Sequence, residues 1–91
     1  MVKETFTIQF TEGLHMRPAS VLAKLAGKFA CDVTLSVGEK NINAKSVVGL
    51  VAACIKCGTE IQIICDGEDE KEAMAEIKES IEAGLGEEEK G

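Results

Sequence analysis

Along this chain the spacing of apolar residues switches repeatedly between a period of two and a period of about 3.6, and that alternation constrains the fold more than any other feature. Phe6, Ile8 and Phe10 alternate with Thr5, Thr7 and Gln9, the pattern of a half-buried strand over Thr5–Phe10. Thr11-Glu12-Gly13 breaks the pattern. From Met16 to about Gly27, residues Ala19, Leu22, Ala23, Leu25 and Ala26 recur at helical spacing, and Gly27 is a plausible helix end. Pro18 falls in the first turn, where its missing N–H costs no intrahelical bond. Val33, Leu35 and Val37 alternate again, Gly38-Glu39 turns the chain, and Lys40 to Asn43 returns as a hairpin partner. A short helix is predicted from Val47 to Ala53 with Ser46 as its N-cap. After a turn at Gly58-Thr59, Glu60 to Cys65 reads as the fourth strand. Ala73, Met74, Ile77 and Ile81 then form the apolar stripe of a helix from Glu70 to Ala83, whose first turn carries acids that suit its dipole.

The order is therefore βαββαβα. Short strands and amphipathic helices in that order predict an α/β (α+β) fold: a two-layer open-faced sandwich, with a four-stranded antiparallel sheet and three helices on one face. With 91 residues there is room for a single domain, expected over 1–86, with 87–91 an acidic flexible tail.

Composition narrows the function classes. The chain is 45% hydrophobic and 29% charged, which suits a soluble globular domain rather than a disordered one. Its net charge of −6 is a poor match for nucleic acid, whose recognition needs a basic face. No stretch approaches the ~20 apolar residues a bilayer requires, and the N-terminus has no secretory h-region, so a cytoplasmic protein without membrane insertion is expected. The acids concentrate from Glu60 onward, while Arg17, Lys24 and Lys28 are expected to give the N-terminal part a local positive patch. Cys31, Cys54, Cys57 and Cys65 are expected to be free thiols in that compartment. Cys54-Ile55-Lys56-Cys57 is one CxxC, whereas a closed zinc site wants four ligands, so Cys31 and Cys65 would have to join it. Several of the four are more simply small buried apolar residues, and no metal or cofactor is expected.

His15, the single histidine, stands at the predicted start of the first helix. The first amides of a helix lack intrahelical acceptors and its dipole favours negative charge, so a phosphoryl group on this imidazole would sit at an anion site. Arg17, two residues on, can add a charge-assisted contact to phosphate oxygens. Imidazole is also a competent nucleophile near neutral pH. A lone helix-terminal histidine is nonetheless more often a surface or capping residue, and a serine before a short apolar helix more often a plain N-cap. No P-loop or dedicated acid pair is visible, so no complete enzyme is expected.

Three colinear segments carry a more specific signal: Gly13-Leu14-His15-Met16-Arg17-Pro18-Ala19, Asn43-Ala44-Lys45-Ser46-Val47-Val48-Gly49-Leu50, and Asp66-Gly67-Glu68-Asp69. Together they resemble the HPr family, the histidine-containing phosphocarriers of the bacterial phosphoenolpyruvate-dependent sugar phosphotransferase system. The likeness runs from about Val2 to Leu85. It implies that His15 is phosphorylated on Nδ1 by phosphorylated enzyme I and donates to sugar-specific IIA domains, with Arg17 steadying the group. It further implies that Ser46 is a regulatory site for an HPr kinase/phosphorylase, and that the phosphoserine form acts with a catabolite-control repressor in carbon catabolite repression. Met16, Ser20, Val47, Val48 and Val51 would contact partners, and the protein would work as a monomer. Three positions depart from the family pattern. Met16 stands where a small residue is common, Ala52-Ala53 replaces a polar-leucine pair, and Cys54 stands where glycine is usual, a strained choice if that position needs positive φ. Competing readings are a regulatory module acting through Ser46 alone, a thiol or metal protein built on Cys54 and Cys57, and a carrier for a nitrogen-regulatory or multiphosphoryl branch.

Overall fold

The computed structural model describes residues 1–10 and 13–84. In chain order the elements are β1 (Val2–Thr7), α1 (Met16–Ala26), β2 (Asp32–Val37), β3 (Lys40–Asn43), α2 (Val47–Ala52), β4 (Glu60–Asp66) and α3 (Glu70–Glu82). This is the βαββαβα order read from the sequence. The expected acidic tail lies outside the described residues. The strands form one four-stranded sheet in the order β1-β4-β2-β3, antiparallel at every junction. β4 thus inserts between the first two strands, pairing Phe6 with Ile61 on one side and Leu35 with Ile63 on the other.

Alternation along these strands sends Phe6, Val33, Leu35, Ile61, Ile63 and Cys65 to one face, where the three helices cover them. Lys3, Thr5 and Thr7 point to the open face and are exposed. From the helix side, Ala19, Leu22, Ala23, Ala26, Leu50, Ala73, Met74 and Ile77 complete a single core cluster.

The first strand is a correction. Alternation predicts it over Thr5–Phe10, yet the ladder runs over Val2–Thr7. Phe6, Ile8 and Phe10 are all buried, so the periodicity marks the right face. It cannot mark the ladder, because β1 is an edge strand and its partner among the described residues, β4, begins at Glu60, opposite Thr7. Beyond that point the partner turns away through Gly58, leaving only the exchange between Ile8 and the Gly58–Thr59 turn: Ile8 N–H to Thr59 O (2.9 Å) and Gly58 N–H to Ile8 O (2.7 Å). At the end of α1, Gly27 is the C-cap as read, but in ordinary helical geometry (φ −68°) rather than a left-handed turn.

α2 is six residues long, too short to persist on its own propensity. It is held by Leu50, fully buried, with Val47 and Val51 half-buried against the core. Ser46 caps it as read: its Oγ accepts the Gly49 N–H at 3.1 Å. The helix then leaves through Cys54 at φ +55°. This is the left-handed position that follows a helix C-cap, where glycine escapes the penalty that any Cβ brings. Cys54→Gly should therefore stabilise the domain by a net of roughly 0.5–1 kcal/mol, after the extra entropy glycine gives the unfolded chain. A thermal melt checks it, and an unchanged or lower midpoint would show that the turn carries no strain.

Asp69 begins α3 but does not cap it with its side chain. Its carboxylate instead accepts the N–H groups of Ala30 and Cys31, both at 2.9 Å, tying the connection between α1 and β2 to the start of α3. The bond from Ala30, with further donors at Cys31, holds this carboxyl below the usual aspartate range. A depressed folded-state pKa stabilises the fold above the unfolded value of 3.8, and that contribution disappears as pH falls through the folded value. Urea melts between neutral pH and pH ~2.5 should show Asp69→Asn with less stability at pH 7 and a shallower acid loss than the wild type. Parallel curves for the two proteins would sink this reading.

The cysteines divide into two pairs. Cys31 and Cys65 are buried, and Cys54 and Cys57 are exposed. Burial, reinforced by Asp69, pushes the Cys31 thiol up to about 12, and burial raises that of Cys65. Both therefore stay protonated and pack as small apolar groups. The fold does not bring all four to one place: among the described residues no three His, Cys, Asp or Glu side chains could hold a metal together.

Candidate functional site

His15 is the N-cap of α1, with extended backbone (φ −90°, ψ −164°). It caps through its carbonyl, which accepts the Ala19 N–H at 3.0 Å, and not through its side chain. The imidazole is half-exposed. Met16, Arg17 and Pro18 form the first helical turn. Pro18 is buried and has no N–H, so the amides that open the helix are those of Met16 and Arg17. No acid stands in that turn, so the dipole's positive end is not offset by a side-chain charge there. Arg17 is exposed, and Met16 is 61% exposed.

Of the expected positive patch only Arg17 lies at this end. Lys24 is in the last turn of α1 and Lys28 follows it, so the helix carries them at least about 13 Å from His15. Lys28 instead faces Glu76 of α3 at 3.7 Å. The patch drawn from sequence proximity is corrected accordingly.

The loop that presents His15 rests on the exit of α2. Gly13 has φ +77°, and a Cβ there would collide with the Ile55 carbonyl oxygen and stand 2.9 Å from the Lys56 Cα. Leu14 donates its N–H to that same Ile55 carbonyl at 2.8 Å, and Gly13 donates to Phe10 O at 2.8 Å. Ile55 is itself buried. None of this is legible in the sequence, where Gly13 shows only as a break in the strand pattern.

α1 also packs on α2, so the C-terminal end of α2 adjoins the His15 loop, with Ser46 at its far end, about 9 Å away along a six-residue helix. Val48 is 78% exposed, and Val47 and Val51 show one side to solvent. Val48 and Met16 are thus two of the three large apolar side chains most exposed among the described residues. Ser20, one turn along α1, is half-buried. The motif around Ser46 is partly scaffolding: Ala44 is buried, Lys45 Nζ donates to Phe29 O at 2.9 Å, and Ser46 N–H donates to Asn43 O at 3.0 Å.

A half-exposed histidine at the positive end of a helix, beside the exposed Arg17 and exposed apolar side chains, suits a group handed between proteins. No helix among the described residues is long and apolar enough to cross a membrane. The family model for the PTS HPr component phosphorylation site matches residues 2–83. Phosphocarrier protein HPr of Mycoplasma capricolum is 46% identical over 81 residues, 89% of this chain and 91% of that protein. The structure of HPr from Thermoanaerobacter tengcongensis superposes with a TM-score of 0.90 at 33% identity, covering 97% of this chain and 99% of that one. The catabolite-repression protein Crh of Bacillus subtilis, a swapped dimer, superposes with a TM-score of 0.72 at 35% identity, covering 91% and 95%. The chain belongs to the HPr family of the phosphotransferase system, a family of phosphocarriers without enzymatic activity of their own.

Proposed function

We propose that this chain accepts a phosphoryl group on His15 from phosphorylated enzyme I and passes it to the IIA domains of sugar permeases, as a monomer in the cytoplasm. The observation that carries this reading is the position of His15 as the N-cap of α1, half-exposed and followed by exposed Arg17. In the transfer a lone pair on an imidazole ring nitrogen (Nδ1 by the family resemblance) attacks phosphorus, the donor leaves with the electron pair of its bond to phosphorus, and the proton the ring gives up neutralises that departing donor. The helix amides and Arg17 then hold the phosphoryl oxygens. Met16, Val47, Val48 and Val51, with Ser20 beside them, form the docking surface. Apolar contact of this limited size suits brief encounters with several partners in turn. One copy of the chain carries all of these residues, so transfer needs no second copy.

Ser46 adds regulation to the same reading. An HPr kinase/phosphorylase would place a phosphate at the N-cap of α2, where negative charge is tolerated by the helix. The domain would stay folded while the docking surface gained charge. That charge would repel acidic surfaces on enzyme I and favour a catabolite-control repressor instead. Incubation with phosphoenolpyruvate and enzyme I should add one acid-labile phosphoryl group, transferable to a IIA domain. Incubation with the kinase and ATP should add one acid-stable group that Ser46→Ala lacks. Failure of the first addition sinks the carrier reading, and failure of the second sinks the regulatory one alone.

A further inference from the structure

Resting on the carrier reading, we infer that the backbone carbonyl of Ile55 is a positioning group for His15, and that Gly13 is glycine so that this carbonyl can reach the loop. Gly13, Leu14 and His15 precede α1 without belonging to a strand. Two points of this part of the chain are fastened to residues 55–59: Ile8 exchanges two hydrogen bonds with Gly58 and Thr59, and Leu14 N–H donates to Ile55 O at 2.8 Å. Between these points Gly13 sits at φ +77° with its bare Cα against the Ile55–Lys56 peptide, and His15 N–H closes a three-residue turn onto Gly13 O at 3.0 Å. Leu14 and Ile55 are both buried, so the fastening point is itself fixed by the core.

The consequence is directional. The bond from Leu14 sets the angle at which the chain enters α1, and so sets where the imidazole stands relative to the Met16 and Arg17 amides. Without it, a glycine hinge immediately before the turn lets the ring swing off the helix axis. A displacement of about 1 Å in a transfer geometry can cost on the order of a hundredfold in rate. Met16 and Ser20 lie within α1, which the core holds, and Val47, Val48 and Val51 lie on α2, so the docking surface stays in place. The effect therefore belongs in kcat and not in KM.

A semisynthetic protein with an ester in place of the Gly13–Leu14 amide deletes this one donor and changes no side chain. Under phosphoenolpyruvate and enzyme I, its kcat for His15 labelling should fall at least about tenfold, with KM within about threefold. A second pair of proteins, Gly13→Ala and the same position carrying D-alanine, separates geometry from composition. D-alanine accepts positive φ and projects its methyl to the other side of the Cα, so it should label near the wild-type rate while Gly13→Ala does not. Labelling of the ester protein within threefold of wild type, or equal losses for the two alanine epimers, overturns the positioning role and leaves the carrier reading intact. A wild-type protein that takes no label on His15 overturns both.

Discussion

His15→Ala is expected to take up no acid-labile phosphoryl group from phosphoenolpyruvate and enzyme I, whereas the wild type should take up one. The chain has a single histidine, so no other imidazole can substitute. His15 caps α1 through its carbonyl, which alanine retains, so the start of the helix survives the substitution. A cooperative melt should show the variant folded while its uptake falls to background. Arg17→Ala should slow uptake by roughly tenfold without abolishing it, the loss of one charge-assisted contact at an exposed position. Mass spectrometry before and after acid treatment measures both. Uptake that survives His15→Ala would falsify the assignment of the carrier residue.

Leu50→Ala destabilises the domain by about 2–5 kcal/mol, a large fraction of the ~5–15 kcal/mol typical of a whole domain. Leu50 is fully buried and is the one residue of α2 that is. Truncating it leaves a cavity at the contact that holds a six-residue helix which cannot persist alone. For a chain of this length, that loss lowers the thermal midpoint by at least about 8 °C. Function should follow stability here: Ser46 and Val48 ride on α2, so phosphorylation at Ser46 should fall in the range where the helix frays while Val48→Ala, on the exposed side, melts like the wild type. A midpoint within 4 °C of wild type would show that α2 is anchored by something other than Leu50.

The order of elements was legible because alternation and 3.6-residue spacing are local properties of the chain. Ser46 was readable as an N-cap for the same reason, since a cap is made with residues three positions away. The end of β1 was not legible. Phe10 continues the alternation, but a ladder exists only where a partner runs alongside, and β4 starts opposite Thr7. Four apolar residues on so short a helix cannot all face inward, and only packing decides that Leu50 is buried and Val48 exposed. Lys24 and Lys28 were misplaced because closeness in sequence is not closeness in space once a helix of 11 residues intervenes.

His15, Arg17 and the start of α1 are one continuous stretch, so their meeting was set by the sequence itself, as was the face each strand buries. Which segment supports that stretch was decided only by the tertiary fold. The Ile55 carbonyl lies some forty residues from Leu14 along the chain and meets it because β4 folds back beside β1 and carries the exit of α2 against the His15 loop. A backbone carbonyl has no signature in the sequence, since every residue carries one. Only the long-range pairing of strands selects the one that reaches the site.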